Sequence, residues 1–401
     1  MDIYEEIFKM CSEHGITFYS SLPCSHNIKL IQRLEELNGE IVENADKPLI
    51  HTPLVREESG VSLSAGAYLG GRKTAMVIQN QGLGNMVTQM LSLNSPLNGS
   101  YRIPNVLIIS HRGLENEKVD AQKPVGSKSK EILNLVGFKH CSVKVISDLK
   151  KFQDLLEEYD KGRSIALLVE PDYSKPLYRI ESKKNITRNF KGNAIPIKKI
   201  QATMTRRKAI SEVINQIEDE FVVSNIGHPS RELHRLKDRE RNFYLTSCLG
   251  HSYTLALGLA LSTEDINPKV ICFEGDGGLL MNAGSLSILA HKKPKNLIVL
   301  LLDNGVWGST GNTETYALHD VNLSGVAQAY GFPESNIKII SKEEQLAENL
   351  RFALKNDGPF LFHVIITDEY ENVPILPLSV VEIKKRFMKS IENARISIYS
   401  S

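Results

Sequence analysis

The sequence predicts an α/β chain folded as two doubly wound parallel-sheet domains. Three observations carry this. The 401 residues suffice for two separate hydrophobic cores. Short apolar runs alternate with helical stretches in both halves, the pattern of strands buried between helical layers. Two apolar runs of the second half, Val270-Ile-Cys-Phe273 and residues 297–302, each end on a polar, glycine-containing loop. In a parallel sheet such loops open on one edge, where ligands bind. Composition sets further bounds. A net charge of +1 gives no global field for nucleic acid or a membrane surface. Five cysteines without close pairing fit reduced thiols in a cytoplasm. No signal-like N-terminal segment and no apolar run of membrane-spanning length is visible, nor any internal repeat.

The first half reads as follows. Residues 1–14 place Ile3, Ile7, Met10 and Cys11 at helical spacing. A strand at 16–19 exits through Ser20-Ser-Leu-Pro-Cys-Ser-His26 into a helix at 28–37. A second strand, 48–51, exits through 52–58 into a helix at 59–70 with small residues Ala65, Gly66 and Gly70. A third, 74–78, leads into Gln79-Asn-Gln-Gly-Leu-Gly-Asn85 and another helix. A fourth, 105–109, leads into Ser110-His-Arg-Gly113, and strands at 143–146 and 165–169 complete a set of six.

Residues 176–199 are rich in Lys, Asn, Gly and Pro and read as a surface linker. The predicted domains are therefore 1–178 and 201–401, joined by 179–200. Thr205 is the expected N-cap of a helix running through Ile217. The second half places strands at 221–224, 243–245, 270–273, 297–302, 337–340 and 360–366. Helices are expected at 252–261, which is small and apolar, at 282–291, and at 383–394.

Gly275, Gly277 and Gly278 allow tight turns and close approach of a ligand to the backbone. Asp276 sits among them, and Asn304 follows the next strand after residues 278–303. A carboxylate, an amide oxygen and a main-chain carbonyl are hard ligands of the kind Mg²⁺ takes beside phosphate. Here the chain resembles the thiamine diphosphate (ThDP) enzymes, whose metal–diphosphate motif has this form. The resemblance implies Mg²⁺ on Asp276, Asn304 and the main-chain oxygen of Val306. It places the diphosphate against Gly275, Gly277, Gly278, Gly250 and His251, under a cover formed by residues 308–312. Leu249 corresponds to the apolar residue that props the cofactor in its bent form; its other reading is core packing.

In the first half, Glu57 lies between a strand exit and a small-residue helix, where partial desolvation raises a carboxyl pKa. On the residues alone the favoured reading is a helix N-terminal acid stabilised by the dipole. The resemblance implies that it contacts N1′ of the aminopyrimidine and acts as the activating acid. Glu57-Glu-Ser-Gly-Val-Ser-Leu-Ser-Ala-Gly66 matches the family's helix without a gap and selects Glu57, whereas a one-residue slip would select Glu58. Gln81 and Gly82, with Asn80, would border the cofactor.

This last stretch, with Leu91-Ser-Leu-Asn94 and Ile108-Ile-Ser-His-Arg-Gly113, is similar to the small two-domain decarboxylases of sulfopyruvate and phosphonopyruvate. That implies a pyrimidine-binding (PYR) domain followed by a diphosphate-binding (PP) domain of the ThDP-binding fold, no middle domain, and two halves fused that occur elsewhere as separate chains. The implied activity is that of a cytoplasmic carbon–carbon lyase converting 3-sulfopyruvate to sulfoacetaldehyde and CO₂, in coenzyme M biosynthesis. Cys24 stands where phosphonopyruvate members tend to carry Asp, which leans toward the sulfonate. Phosphonopyruvate decarboxylation and a non-catalytic ThDP-binding regulator are the alternatives. Candidate donors to the sulfonate are Ser25, His26, His111 and Arg112; Arg112 has a second reading as a structural ion pair. His251 would contact substrate or shuttle protons. The family builds its site from domains of different subunits, which implies a homodimer or larger symmetric homo-oligomer.

Overall fold

Each half of the chain is built on a six-stranded, wholly parallel sheet, and the two sheets share one strand order. The computed structural model describes residues 2–174, 200–266, 268–319, 321–369 and 371–399. The chain divides into two compact units, one of residues 1–68 and 72–192 and the other of residues 69–71 and 193–401. The predicted linker, 179–200, lies, apart from Ile200, outside the described residues.

The first sheet comprises β1 (Ile16–Ser21), β2 (Ile50–Pro53), β3 (Lys73–Gln79), β4 (Val106–Ser110), β5 (Lys139–Val143) and β6 (Ile165–Val169), in the order β2-β1-β3-β4-β6-β5. Every residue of β1, β4 and β6 is buried, as required of central strands covered on both faces. The helices are α1 (Ile3–Glu13), α2 (Ile28–Glu36), α3 (Glu57–Leu69), α4 (Leu83–Gln89), α5 (Lys123–Leu135) and α6 (Lys150–Asp160). Ile7, Met10 and Cys11 of α1 are buried as their spacing predicts, and Asp2 caps the helix through Tyr4 N. Between α4 and β4, residues Met90–Asn94 form a single π-turn. Two strands differ from expectation, and the one predicted at 48–51 begins two residues later, at Ile50. The strand predicted at 143–146 lies at 139–143, because Val145 and Ile146 are exposed and Ile146–Leu149 forms a 3₁₀ turn.

The second unit opens with α7 (Arg206–Ile214), whose N-cap Thr205 accepts from Lys208 N as predicted. Then follow β7 (Phe221–Ser224), α8 (His228–Leu236), β8 (Asn242–Tyr244), α9 (Ser252–Ser262), β9 (Val270–Gly275), α10 (Asp276–Asn282), α11 (Leu286–Lys292) and β10 (Leu297–Asp303). The chain ends with β11 (Val306–Trp307), β12 (Thr313–Glu314), α12 (Leu323–Ala329), β13 (Ile337–Ile340), α13 (Glu343–Lys355), β14 (Phe360–Ile365) and α14 (Val380–Tyr399). The sheet order is β13-β14-β10-β9-β7-β8. Read from its other edge, this is the order of the first sheet. The strand order reverses between β1 and β3 in one unit and between β7 and β9 in the other, so each sheet has a switch point where loops diverge and leave a crevice. All of α9 is buried, consistent with its small, apolar composition. The helix expected at 282–291 begins earlier. Asp276 is already helical, and a 3₁₀ turn, Ala283–Ser285, separates α10 from α11. The expected sheet architecture stands in both units, and residues 170–205 leave no room for a middle domain.

Candidate functional site

In the second unit the predicted ligand loops converge at the C-terminal edge of the sheet. Register pairs Leu302 of β10 with Gly275 of β9, so Asp276 and Asp303 leave adjacent strands side by side and Asn304 follows one residue on. Asp276 is buried, and its Oδ2 accepts from Thr315 Oγ1 at 2.5 Å. Burial, together with the neighbouring Asp303 carboxylate, pushes its carboxyl up to about 6. Asn304 is half-buried and its Oδ1 accepts from Val306 N at 3.3 Å, which holds the turn carrying both predicted ligands. A buried carboxylate beside a second carboxylate is a place where a cation relieves an unfavourable charge. The donor set of carboxylate, amide oxygen and carbonyl fits Mg²⁺, which keeps phosphate and water ligands of its own. Among the described residues no three His, Cys, Asp or Glu side chains gather as an all-side-chain cage.

The glycines act differently from the expectation. Gly275, Gly277 and Gly278 are not among the residues with positive φ, so no left-handed turn needs them. Gly277 and Gly278 are required by close packing instead. A Cβ on Gly277 would lie 2.4 Å from the Trp307 ring, and one on Gly278 would lie 2.3 Å from Glu274 Oε1. Glu274, between the apolar run and these glycines, is a further residue of the site. It is fully buried, accepts from Ser252 Oγ at 2.5 Å and from Gly275 N at 3.0 Å, and burial pushes its carboxyl up to about 7. An acid in an otherwise apolar strand was the available signal.

The β8 exit arrives at the same edge. Cys248 and Gly250 both have positive φ, and a Cβ on Gly250 would lie 2.7 Å from the Gly278 carbonyl oxygen. Leu249, between them, is half-buried and is not part of the buried core. His251 is buried at the N-cap of α9, with Nδ1 3.4 Å from Asn282 Nδ2, whose amide also donates to the Gly250 carbonyl. That contact places the ring proton of a neutral His251 on Nε2.

In the first unit Glu57 and Glu58 are distinguished by direction. Both lie in the first turn of α3. Glu58 is buried and pairs with Arg56. Glu57 is half-buried, accepts from Asn85 Nδ2 at 3.2 Å, and fills the space that Gly82 leaves without a side chain. A Cβ at 82 would meet the Glu57 carboxyl carbon at 2.3 Å, whereas one at Gly84 meets nothing within 4 Å. Gly82→Ala is therefore expected to swing the flexible Glu57 away without unfolding the unit. Steady-state kinetics should show a roughly 10- to 100-fold fall in kcat for Gly82→Ala and no change for Gly84→Ala. Gln81 is exposed at this rim. Asn80 faces inward, accepting from Arg112 N and donating to Arg112 O and Ser129 Oγ, so it pins two strand exits together rather than offering a ligand contact.

The four sulfonate candidates separate. Ser25 is exposed and His26 half-buried, its ring edge-on to Tyr173 at 5.5 Å. Burial and the Arg112 charge hold the His26 imidazole below its usual pKa. Arg112 takes its structural reading. Its Nε and Nη2 donate to the two oxygens of Glu117 at 3.0 and 2.7 Å, and Glu117 also accepts from Tyr173 Oη and Val119 N. Arg112 and its hydrogen bonds hold the Glu117 carboxyl well below the carboxylate range. His111 is a correction: it is buried, with Nε2 3.0 Å from the Gly126 carbonyl oxygen. Its one ring proton is used there, and burial disfavours a second, so it has no donor for an anion.

Comparison with known proteins gives concordant findings. Residues 225–364 match the C-terminal TPP-binding domain of thiamine pyrophosphate enzymes. The chain is 33% identical over 396 residues, 97% of both chains, to sulfopyruvate decarboxylase of Methanosarcina acetivorans. It is 40% identical to sulfopyruvate decarboxylase subunit beta of Methanococcus maripaludis, over 47% of this chain and 98% of that subunit. It is 31% identical to phosphonopyruvate decarboxylase of Streptomyces viridochromogenes, over 88% of this chain and 85% of that one. In fold it is similar to a thiamine diphosphate-dependent 4-hydroxybenzoylformate decarboxylase of Rhodococcus jostii, with a TM-score of 0.66 at 12% identity, covering 92% of this chain and 99% of the other.

Proposed function

The chain belongs to the family of thiamine diphosphate-dependent sulfopyruvate decarboxylases, in the fused form, and from that premise we propose that it converts 3-sulfopyruvate to sulfoacetaldehyde and CO₂. The observation that carries this is likeness over nearly the full length of both chains; Glu57 at the start of α3, Asp276 after β9 and Asn304 after β10 support it. ThDP, when bound, supplies the electron sink for the pair released as the carboxylate departs.

The remaining work falls to the protein's own groups. Glu57 would hold a proton at N1′ of the aminopyrimidine; its approach past Gly82 and its contact with Asn85 support that role. Asp276, Asn304 and the Val306 carbonyl would hold Mg²⁺ against the diphosphate, and Leu249 would prop the cofactor. His251 keeps a proton on Nε2 at the same edge and is the second candidate proton carrier. Ser25 and His26 are the sulfonate donors that the geometry supports, while Arg112 is neutralised by its pair with Glu117 and keeps a structural role behind them. Family members build the site from domains of different subunits, so the proposed assembly is a homodimer or larger symmetric homo-oligomer. A place in coenzyme M biosynthesis follows from the proposed product, and the five cysteines, all free thiols, support a cytoplasmic one.

The test is a comparison of acids. With ThDP and Mg²⁺ present, aldehyde formation from sulfopyruvate is expected at a kcat/KM at least about tenfold above that from phosphonopyruvate, a difference of about 1.4 kcal/mol in transition-state binding. A preference for phosphonopyruvate would move the chain to the second reading, which the Streptomyces relative favours. No turnover of either acid would leave a ThDP-binding regulator, a reading that the intact acidic and metal-ligand residues oppose.

A further inference from the structure

The ligand loops of the second unit are joined by one continuous hydrogen-bond chain. It begins at Ser324 in α12, whose Oγ lies 2.8 Å from His363 Nδ1 in β14. His363 Nε2 lies 2.7 Å from Asp303 Oδ2 at the end of β10. Asp303 Oδ1 accepts from Gly305 N at 3.0 Å, Gly305 O accepts from Thr315 N at 2.8 Å, and Thr315 Oγ1 donates to Asp276 Oδ2 at 2.5 Å. Ser324, His363, Asp303, Thr315 and Asp276 are all buried. With Asp303 ionised, His363 donates through Nε2 and accepts the Ser324 hydroxyl at Nδ1, so each proton in the chain has one place to go.

We propose that Thr315 and the His363–Asp303 pair are positioning residues for the divalent cation, fixing the Asp276 carboxylate and the Asn304–Val306 turn at the spacing the ion requires. The inference rests on the cofactor reading above. Thr315 acts on both sides of the site at once. Its backbone amide holds Gly305, which has φ +70° and lies between the two loop ligands, and its hydroxyl fixes the rotation of the Asp276 carboxylate. Asp303 sets the start of the same turn, and His363 fixes Asp303. A carboxylate and a loop held by separate elements would otherwise adjust independently. Outer partners that orient metal ligands in this way typically govern affinity 10- to 100-fold.

The experiment is Mn²⁺ binding to the full-length protein at saturating ThDP, followed by electron paramagnetic resonance. A second readout is the fluorescence of Trp307, the only tryptophan in the chain, which lies against Gly277. Thr315→Val and His363→Phe are expected to raise the Mn²⁺ Kd roughly 10- to 100-fold, while Thr315→Ser, which keeps the hydroxyl, restores wild-type binding. In Thr315→Val, kcat should recover at saturating Mg²⁺, a rescue that general structural damage would not give. Should His363→Phe fail to fold, Thr315→Val decides, because valine matches threonine in volume. Wild-type Mn²⁺ affinity in Thr315→Val would overturn the positioning role while leaving the cofactor reading intact. A wild-type protein that binds no Mn²⁺ with ThDP would overturn both.

Discussion

Glu57→Gln is expected to lower kcat/KM by roughly two to four orders of magnitude, the usual contribution of a positioned acid, while ThDP and Mg²⁺ still bind. Glutamine keeps the size of the side chain and can still accept from Asn85, so the pocket beside Gly82 stays filled. What it cannot do is exchange a proton. Glu58→Gln is the paired control. Glu58 lies inside the unit against Arg56, so losing its charge should lower thermal stability and leave kcat within about threefold of wild type, as for a change away from the reacting atoms. The two variants separate the readings that sequence alignment left open. If the one-residue slip were correct, Glu58→Gln would be the inactive protein and Glu57→Gln the active one. Cofactor binding must be measured alongside turnover, since only loss of turnover with binding retained identifies an acid.

Most of the fold was legible because central parallel strands are short, continuous apolar runs. Val270-Ile-Cys-Phe273 and residues 297–302 declared themselves in this way, and both are buried strands. Edge strands carry less of that signal. Lys139-His-Cys-Ser-Val143 is largely polar and only its last residue is fully buried, so the apolar run beside it attracted the assignment. The start of α10 was hidden by its glycines, whose helical role depends on Glu274 and Trp307 occupying the space. The shared strand order of the two sheets leaves no visible repeat in the residues, because topology constrains connection and burial rather than side-chain identity.

The site was legible where the chain itself brings residues together. Asp276 and Asn304 follow neighbouring strands in register, so local pattern sufficed to pair them. His111 illustrates the opposite case. A histidine at a strand exit looks the same in sequence whether it faces a cleft or donates inward to Gly126, and only packing by α5 decides it. Arg112 did have a local signal, since Glu117 follows five residues later within the same loop. Thr315 and His363 had none. Their partners Asp276 and Asp303 lie 39 and 60 residues away, and nothing short of the folded sheet links them.

Asp276→Asn should produce opposite effects on catalysis and on the stability of the cation-free protein. Asparagine offers Mg²⁺ a neutral oxygen in place of a charged one. Losing several kcal/mol of charge stabilisation should reduce Mg²⁺-dependent kcat/KM by on the order of a thousandfold. Without a cation, however, the wild-type carboxylate is a desolvated charge beside Asp303, and its pKa stands at about 6 rather than the ordinary 3.8. Between those values the folded state binds more protons than the unfolded state. This group's stabilising contribution is therefore complete below pH 3.8 and is lost as pH rises through about 6. Calorimetry of the cation-free protein should accordingly show Asp276→Asn with the higher Tm at pH 7 and little difference at pH 4. Adding Mg²⁺ with ThDP should raise the wild-type Tm more at pH 7 than at pH 5, because protons compete for the same oxygen, and should raise that of the variant little at either pH. A carboxylate serving only to cap α10 would behave differently. Its replacement would lower Tm in the absence of the cation and would leave the metal dependence of turnover unchanged, so the sign of one melting shift distinguishes a metal ligand from a helix cap.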